Sequence, residues 1–307
     1  MAAGWVGGVT RARGLLSRGL GRDGARALAA AAGPAEALRL LAATPYRRFL
    51  PPDPDLTEAQ RAVSATLLWH LRVLAGWLPR SGAQALRALA AGFEAANVED
   101  LLRSFTGTPP NPPYALGALA TAWHRAALAR TPEELRLALA ASAWGDPGGA
   151  DPATVAVALR MSAAHRTAGT VPPARRWAQG RAALLTARTL FVTGRPLPAS
   201  AGRRASGLLG PRAVAAASFD EYRRALPADA RWALDGIVAP ADLWRAETRW
   251  WAVLDREGHD LLRGARYGLA PVVGAVAVLS ADAWRVRAAL ELAAHGGAAP
   301  EAADALG

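Results

Sequence analysis

Apolar residues recur every three or four positions along most of this chain, and strict apolar–polar alternation is nearly absent. That period is typical of helices with one buried face. We predict long helices over residues 56–78, 81–105, 171–192, 240–263 and 271–295. Ala, Leu, Arg and Glu fill these segments, and all four favour helical backbone. The sequence therefore predicts an all-α protein.

A short helical element occurs three times, at residues 33–46, 131–144 and 218–232. Each copy has a Glu near its start, a Leu five positions later, and an aromatic residue ten or eleven positions after the Glu. These residues are Glu36, Leu41 and Tyr46; Glu134, Leu139 and Trp144; and Glu221, Leu226 and Trp232. Self-similarity of this kind indicates a repeated structural unit.

Two stretches rich in Pro and Gly, residues 107–113 and 194–212, interrupt the helical pattern. Such stretches do not continue a helix and read as connectors. Together with the repeated element, they predict three similar helical-bundle modules, at residues 1–107, 108–195 and 196–307.

The amino-acid composition excludes several classes of catalytic and metal-binding chemistry. The chain of 307 residues has no Cys, and it has no Lys, so all 36 basic residues are Arg. Thiolate catalysis, Cys-ligated zinc, Schiff bases and phosphate-binding loops that depend on Lys are therefore excluded. The five His do not form a metal-binding pair at helical spacing, and no Gly-rich loop follows a strand. We expect no catalytic residues, no cofactor and no metal site.

The formal net charge of +11 leaves a second hypothesis open, a basic helical protein that binds nucleic acid. The Arg residues are dispersed and interleaved with Glu and Asp, which favours solvated helix faces over a nucleic-acid surface. An all-helical enzyme is a third hypothesis, without support from any motif. We therefore expect no nucleic acid among the partners, while this function remains the alternative.

No transmembrane helix or signal peptide is expected. Residues 267–281 are uncharged, but they are fewer than the roughly 20 apolar residues that a bilayer requires. Arg11 and Arg13 come too early for the apolar region of a signal peptide. These observations predict a protein inside the cell.

Two polar residues stand out within the apolar pattern of residues 91–103. Glu94 and Asn97 lie one turn apart on one helix face, and Asn disfavours helix interiors unless its side chain has a partner. One interpretation is a buried structural hydrogen bond that joins neighbouring helices. The other is a polar cavity wall that receives another protein.

Several motifs, in order along the chain, make it similar to one known family. They are residues 9–16, an Arg-x-Arg opening helix; 40–46, ending in Thr-Pro-Tyr; 93–103, with Glu, Asn and Leu-Arg; 116–135; 267–273; and 282–287. In this order they resemble the C-subunit family of V/A-type ATP synthases, the counterpart of the d-subunit of vacuolar ATPases. The positions of the Glu–Asn pair hold Gln179 and Ala182 in the middle module and Asp282 and Arg285 in the last, so only the first copy is intact.

The resemblance implies a funnel of three helical domains around a pseudo-threefold axis. Its wide end would accept the central shaft of the ATPase head, and its other end would rest on the membrane proteolipid ring. Such a protein would transmit torque in ion transport without hydrolysing ATP, peripheral on the cytoplasmic side of the membrane. By the same resemblance, polar residues of the cavity or interface would be Glu94, Asn97, Arg103, Asp282 and Arg287.

Overall fold

The computed structural model describes residues 3–264 and 267–296. Within these ranges the chain is helical and has no β-strand, which confirms the all-α prediction. The α-helices are α1 (Ala3–Leu15), α2 (Gly21–Ala29), α3 (Pro34–Ala42), α4 (Leu56–Ala75), α5 (Arg80–Leu89), α6 (Ala91–Ser104), α7 (Trp123–Ala126), α8 (Pro132–Ala140), α9 (Pro152–Thr170), α10 (Arg175–Ala187), α11 (Ala199–Leu209), α12 (Pro211–Val214), α13 (Phe219–Ala225), α14 (Ala228–Arg231), α15 (Leu243–Gly264) and α16 (Leu269–Ala294).

Residue contacts divide the chain into two compact units. Unit 1 combines the described parts of residues 1–82 and 251–307, and unit 2 is residues 83–250. The first repeated element lies in unit 1, and the other two lie in unit 2. Both connectors, at residues 107–113 and 194–212, lie inside unit 2. The first does so because α6 packs with the segment that follows it.

In unit 1, the central helix is α16, which packs against α1, α2, α3 and α4. Its length and composition are those of a helix that could cross a bilayer, yet 72% of its most apolar window is buried inside the protein. Apolar residues occur on almost every face of this helix, as expected for a helix that is surrounded by other helices. Its hydrophobicity is therefore accounted for by the core of unit 1.

In unit 2, α9 lies among three other long helices, packing against α6, α10 and α11. One hydrophobic cluster joins α6 to the second repeated element and to α9. Its buried members are Ala91, Ala95, Val98, Leu102, Ala122, Ala126, Leu135, Leu139, Trp144, Val155 and Leu159. The helix α6, which precedes the connector at residues 107–113, thus contributes to the core around the second repeated element, which follows that connector.

The predicted long helices differ from the observed ones at two places. The single helix predicted over residues 81–105 is wrong, because the chain turns at Ala90 and forms α5 and α6 separately. Ala is the strongest helix former, so tertiary packing overrides propensity at this position. The helix predicted over residues 171–192 begins only at Arg175, after two prolines, and its last turn, Arg188–Val192, is a π-helix.

Candidate functional site

The three repeated elements share the same hydrogen bond at their start. Glu36 accepts from the backbone N–H of Ala32 at 2.7 Å, four residues before it. Glu134 and Glu221 accept in the same way from the residues four positions before them, at 2.8 Å and 2.9 Å. A carboxylate at the first helical turn satisfies an N–H group that the helix leaves free. The resemblance of the three sequences therefore extends to their local structure.

The first two copies also share the turn before the aromatic residue. Thr44 and Ser142 each donate from the hydroxyl to the carbonyl of the repeat's Leu, at 2.7 Å in both cases. The same hydroxyl oxygen accepts from the backbone N–H of the aromatic residue, Tyr46 or Trp144. The third copy has Ala230 at this position, which cannot form these bonds.

A buried carboxylate on α6 holds the second repeated element. Glu94 is 1% exposed. Its two carboxylate oxygens accept from the backbone N–H groups of Thr121 and Ala122, at 2.5 Å and 2.6 Å. The indole N–H of Trp144 donates to the same carboxylate at 2.8 Å. Charge-assisted bonds of this kind are the stronger ones in proteins, and three donors satisfy a charge that would otherwise be costly to bury.

A carboxylate on α16 makes the equivalent contacts in unit 1. Asp282 is 3% exposed, and its oxygens accept from the backbone N–H groups of Leu20 and Gly21, at 2.8 Å and 2.7 Å. The hydroxyl of Tyr46 donates to it at 2.7 Å. Gly21 has φ +75°, a conformation that Gly adopts without strain. We call each set of one carboxylate, two successive N–H groups and one aromatic donor a carboxylate clamp.

The clamp in unit 1 changes the acid–base chemistry of its aromatic donor. Burial raises the pKa of the Tyr46 hydroxyl well above its ordinary value, and the neighbouring negative charge of Asp282 raises it further. The positive charges of Arg287 and Arg285 act in the opposite direction but do not cancel this effect. Tyr46 therefore remains a hydrogen-bond donor to Asp282 across the neutral and mildly alkaline range.

The third clamp position has no carboxylate. The equivalent of Glu94 on α10 is Gln179, whose Oε1 is buried and has no hydrogen-bond partner in the described part of the chain. The indole N–H of Trp232 donates instead to the carbonyl of Asp229, at 2.9 Å. Trp232 packs directly on α10, because a Cβ added at Gly180 would lie 2.6 Å from the indole ring. The third element thus keeps the packing of the clamp without its hydrogen bonds.

The residue one turn after each carboxylate also contacts a neighbouring segment. Asn97 donates from its amide to the carbonyl of Tyr114 at 3.0 Å and accepts from the N–H of the same residue at 2.7 Å. At the corresponding position on α16, Arg285 forms a buried ion pair with Asp255 at 2.5 Å. Arg22 approaches the same carboxylate at 3.3 Å.

The five residues predicted to line a cavity or interface fall into two groups. Glu94, Asn97 and Asp282 are buried and bonded to neighbouring segments. Arg103 pairs with Asp100, and its side chain is 53% exposed. Arg287 is half-buried on α16. The structure thus places Glu94, Asn97 and Arg103 on one helix of unit 2, and Asp282 and Arg287 on one helix of unit 1.

The partners of the carboxylates escaped sequence analysis. Four of them are backbone N–H groups, which carry no residue-type signal, and the aromatic donors lie 50 and 236 positions from their acceptors. The available signal was the recurrence of an aromatic residue at the end of each element. Over residues 3–264 and 267–296, no group of three His, Asp or Glu side chains could hold a metal ion.

Comparison with known proteins adds no assignment. No protein-family model matches this chain, and no curated protein matches it.

Proposed function

We propose that this chain is a central-stalk rotor component of a V/A-type ATPase or ATP synthase. In this role it links the shaft of the ATPase head to the membrane proteolipid ring, on the cytoplasmic side of the membrane. It transmits torque for ion transport and does not itself hydrolyse ATP. The proposal includes the predicted funnel of three modules around a pseudo-threefold axis.

The observation that supports this proposal most is the repetition of the carboxylate clamp. Three elements of one design occur in a single chain, and two of them are held through the same set of donors. In a ring of three modules, the last helix must meet the first element. The bonds from Asp282 on α16 to Leu20, Gly21 and Tyr46 make this connection between the two ends of the chain.

Mechanical considerations also favour the proposal. A torque link must be stiff, and α4, α9, α15 and α16 are rods of 20, 19, 22 and 26 residues. At 1.5 Å per residue, the longest of these is about 39 Å long. Buried, fully bonded carboxylates fix how a helix meets the next segment, because shifting either one exposes unpaired donors.

Co-purification tests the proposal. The affinity-tagged chain is purified from its own cells in mild detergent, and its partners are identified by mass spectrometry. We expect the shaft proteins of the ATPase head and the proteolipid to co-purify with the chain in a constant ratio. An unrelated tagged protein should not co-purify with them. Electron microscopy of the isolated chain should show a funnel with threefold character. A chain that purifies with nucleic acid, or a particle without a central opening, would contradict the proposal.

A further inference from the structure

Unit 1 contains a basic cavity that the rotor proposal does not use. Its volume is about 1050 Å³, and it lies between α1, the 3-10 turn Leu16–Arg18 that follows it, the 3-10 turn Pro45–Phe49, and α4. Four guanidinium groups line it, those of Arg11, Arg18, Arg47 and Arg48. Among the described residues that line it, none is acidic.

These four guanidinium groups have no carboxylate partner of the kind that several other Arg of the molecule have. Arg285, Arg136 and Arg160, for example, each pair with a carboxylate. For the four Arg of the cavity, no carboxylate lies within ion-pair distance over the described ranges. Arg48 is held in place by stacking over the Trp69 ring, 3.7 Å from the ring centre. Four like charges around one opening repel one another and create a positive potential that attracts anions.

The cavity wall also carries a buried polar residue. His70 lines the cavity and is 7% exposed, and its Nδ1 is buried without a hydrogen-bond partner among the described residues. Buried polar atoms normally have a partner, so His70 adds an unsatisfied polar residue to the wall beside the four guanidinium groups. Thr66 also lines the cavity, and its hydroxyl donates to the carbonyl of Ala62 at 2.8 Å.

We propose that this cavity binds a ligand carrying phosphate groups, held by Arg11, Arg18, Arg47 and Arg48 with His70 at the inner wall. Guanidinium groups match the oxygens of phosphate in pairs of parallel hydrogen bonds. The volume exceeds what one phosphate fills and is that of sites for larger ligands. Trp69 and Trp77, the latter 56% exposed, offer apolar surface to the rest of the ligand. The inference does not depend on the rotor proposal.

Calorimetric titration of the full chain with pyrophosphate and with ATP tests this site. We expect saturable binding, weakened about tenfold or more in R11Q/R18Q and in R47Q/R48Q, because charge-assisted bonds to phosphate are lost. The matched control R39Q/R72Q removes two exposed Arg of the same unit that do not line the cavity, and should change affinity less than about twofold. Equal loss in the control would overturn the proposal.

Vesicles distinguish a free ligand from a lipid headgroup. Phosphatidylcholine vesicles with and without phosphatidic acid are sedimented with the chain. Binding only to vesicles with phosphatidic acid, reversed by pyrophosphate, would assign the site to a lipid headgroup. Pyrophosphate binding without vesicle binding would assign it to a soluble phosphate compound. If the chain binds neither pyrophosphate nor these vesicles, the proposal is overturned. It is also overturned if single-stranded oligonucleotides displace pyrophosphate with an affinity that increases with their length.

The titration of His70 gives a readout that needs no substitution. Burial, then the positive charges of Arg18, Arg48 and Arg11, lower the pKa of His70 to about 4. An anion among Arg11, Arg18, Arg47 and Arg48 offsets these charges, so saturating pyrophosphate should raise the pKa of His70 towards its ordinary value near 6.5. NMR of the imidazole signals measures the shift. A His70 pKa that pyrophosphate leaves unchanged would overturn the assignment of this residue to the site.

Discussion

The Glu94 and Gln179 regions of unit 2 use the same design with different chemistry. In both, a helix from the preceding segment packs on a capped element whose last residue is a Trp. At Glu94, one carboxylate bonds two backbone N–H groups and the indole of Trp144. At Gln179, the amide oxygen has no partner in the described structure, and Trp232 bonds locally to Asp229. The comparison separates packing, which both regions have, from the charged hydrogen bonds, which only the first has.

The energetic meaning of this difference follows from the cost of buried donors. A buried donor that loses its partner costs about 1–3 kcal/mol, whereas a bond to a charged group contributes about 1.5–3 kcal/mol net. We infer that the Glu94 region is fixed by its carboxylate, while the Gln179 region is fixed by apolar contact of Trp232 on α10. The four predictions that follow address this inference, from the largest expected effect to the smallest.

Removal of the Glu94 carboxylate should have the largest effect. We expect E94A to lower the free energy of unfolding by about 3–5 kcal/mol, because three buried donors lose their acceptor. Urea denaturation of the full chain measures this change. The control is E99A on the same helix, where Glu99 bonds to the side chain of Arg160 and not to backbone N–H groups among the described residues, so fewer buried donors lose their acceptor. An E94A variant no less stable than E99A would contradict the clamp.

The Asp282 clamp should behave as the Glu94 clamp does. We expect D282N to lower the free energy of unfolding by about 2–3 kcal/mol, since the amide keeps one acceptor oxygen but loses the charge. Urea denaturation again provides the measurement. If D282N loses less stability than Q179M does, the two clamps are not equivalent. The stabilising carboxylate clamp would then be confined to unit 2.

Alkaline pH should weaken unit 1 through Tyr46. In the unfolded chain a tyrosine ionises near pH 10, while the raised pKa of folded Tyr46 keeps it protonated. Above pH 10 the unfolded state therefore binds fewer protons, and stability falls by about 1.4 kcal/mol per pH unit for each such tyrosine. Tyr222, whose pKa is also raised by burial, contributes the same trend.

The Y46F variant isolates this contribution. It should be less stable than the native chain at pH 8, because Asp282 loses a donor, and should then lose stability less steeply between pH 10 and pH 11. Equilibrium denaturation at a series of pH values gives both quantities. Identical slopes for Y46F and the native chain would mean that Tyr46 is not held protonated by its surroundings.

Substitution of Gln179 should have the smallest effect. We expect Q179M to change the free energy of unfolding by no more than about 0.5 kcal/mol, because the side chain has a similar length and the lost oxygen has no partner among the described residues. A gain in stability is also consistent, since a buried polar atom is removed. A loss comparable to that of E94A would show that Gln179 holds the third element as Glu94 holds the second.

The sequence predicted the helical class and the repeated element, because both depend on short-range patterns. Periodicity identified α4 and α16 to within a few residues, and Glu36, Glu134 and Glu221 take equivalent positions as their spacing suggested. The position of Asn97 within a helix also indicated correctly that its side chain has a partner. Each of these signals lies within one or two turns of the chain.

The packing arrangement could not be predicted in the same way. Pro and Gly mark where a helix cannot continue, but they do not determine which neighbour it packs on. α6 lies before the connector at residues 107–113, yet Glu94 bonds to Thr121, Ala122 and Trp144 beyond it. The turn at Ala90 was hidden for a related reason, because Ala carries no signal of a break.

A double-mutant cycle between Glu94 and Trp144 tests the central claim most directly. E94Q, W144F and the double variant are compared by urea denaturation, beside Q179M, W232F and their double variant. We predict a coupling of about 1–2 kcal/mol in the first cycle and one within about 0.3 kcal/mol of zero in the second. Equal couplings in the two cycles would contradict the account, because the carboxylate would then contribute nothing beyond packing.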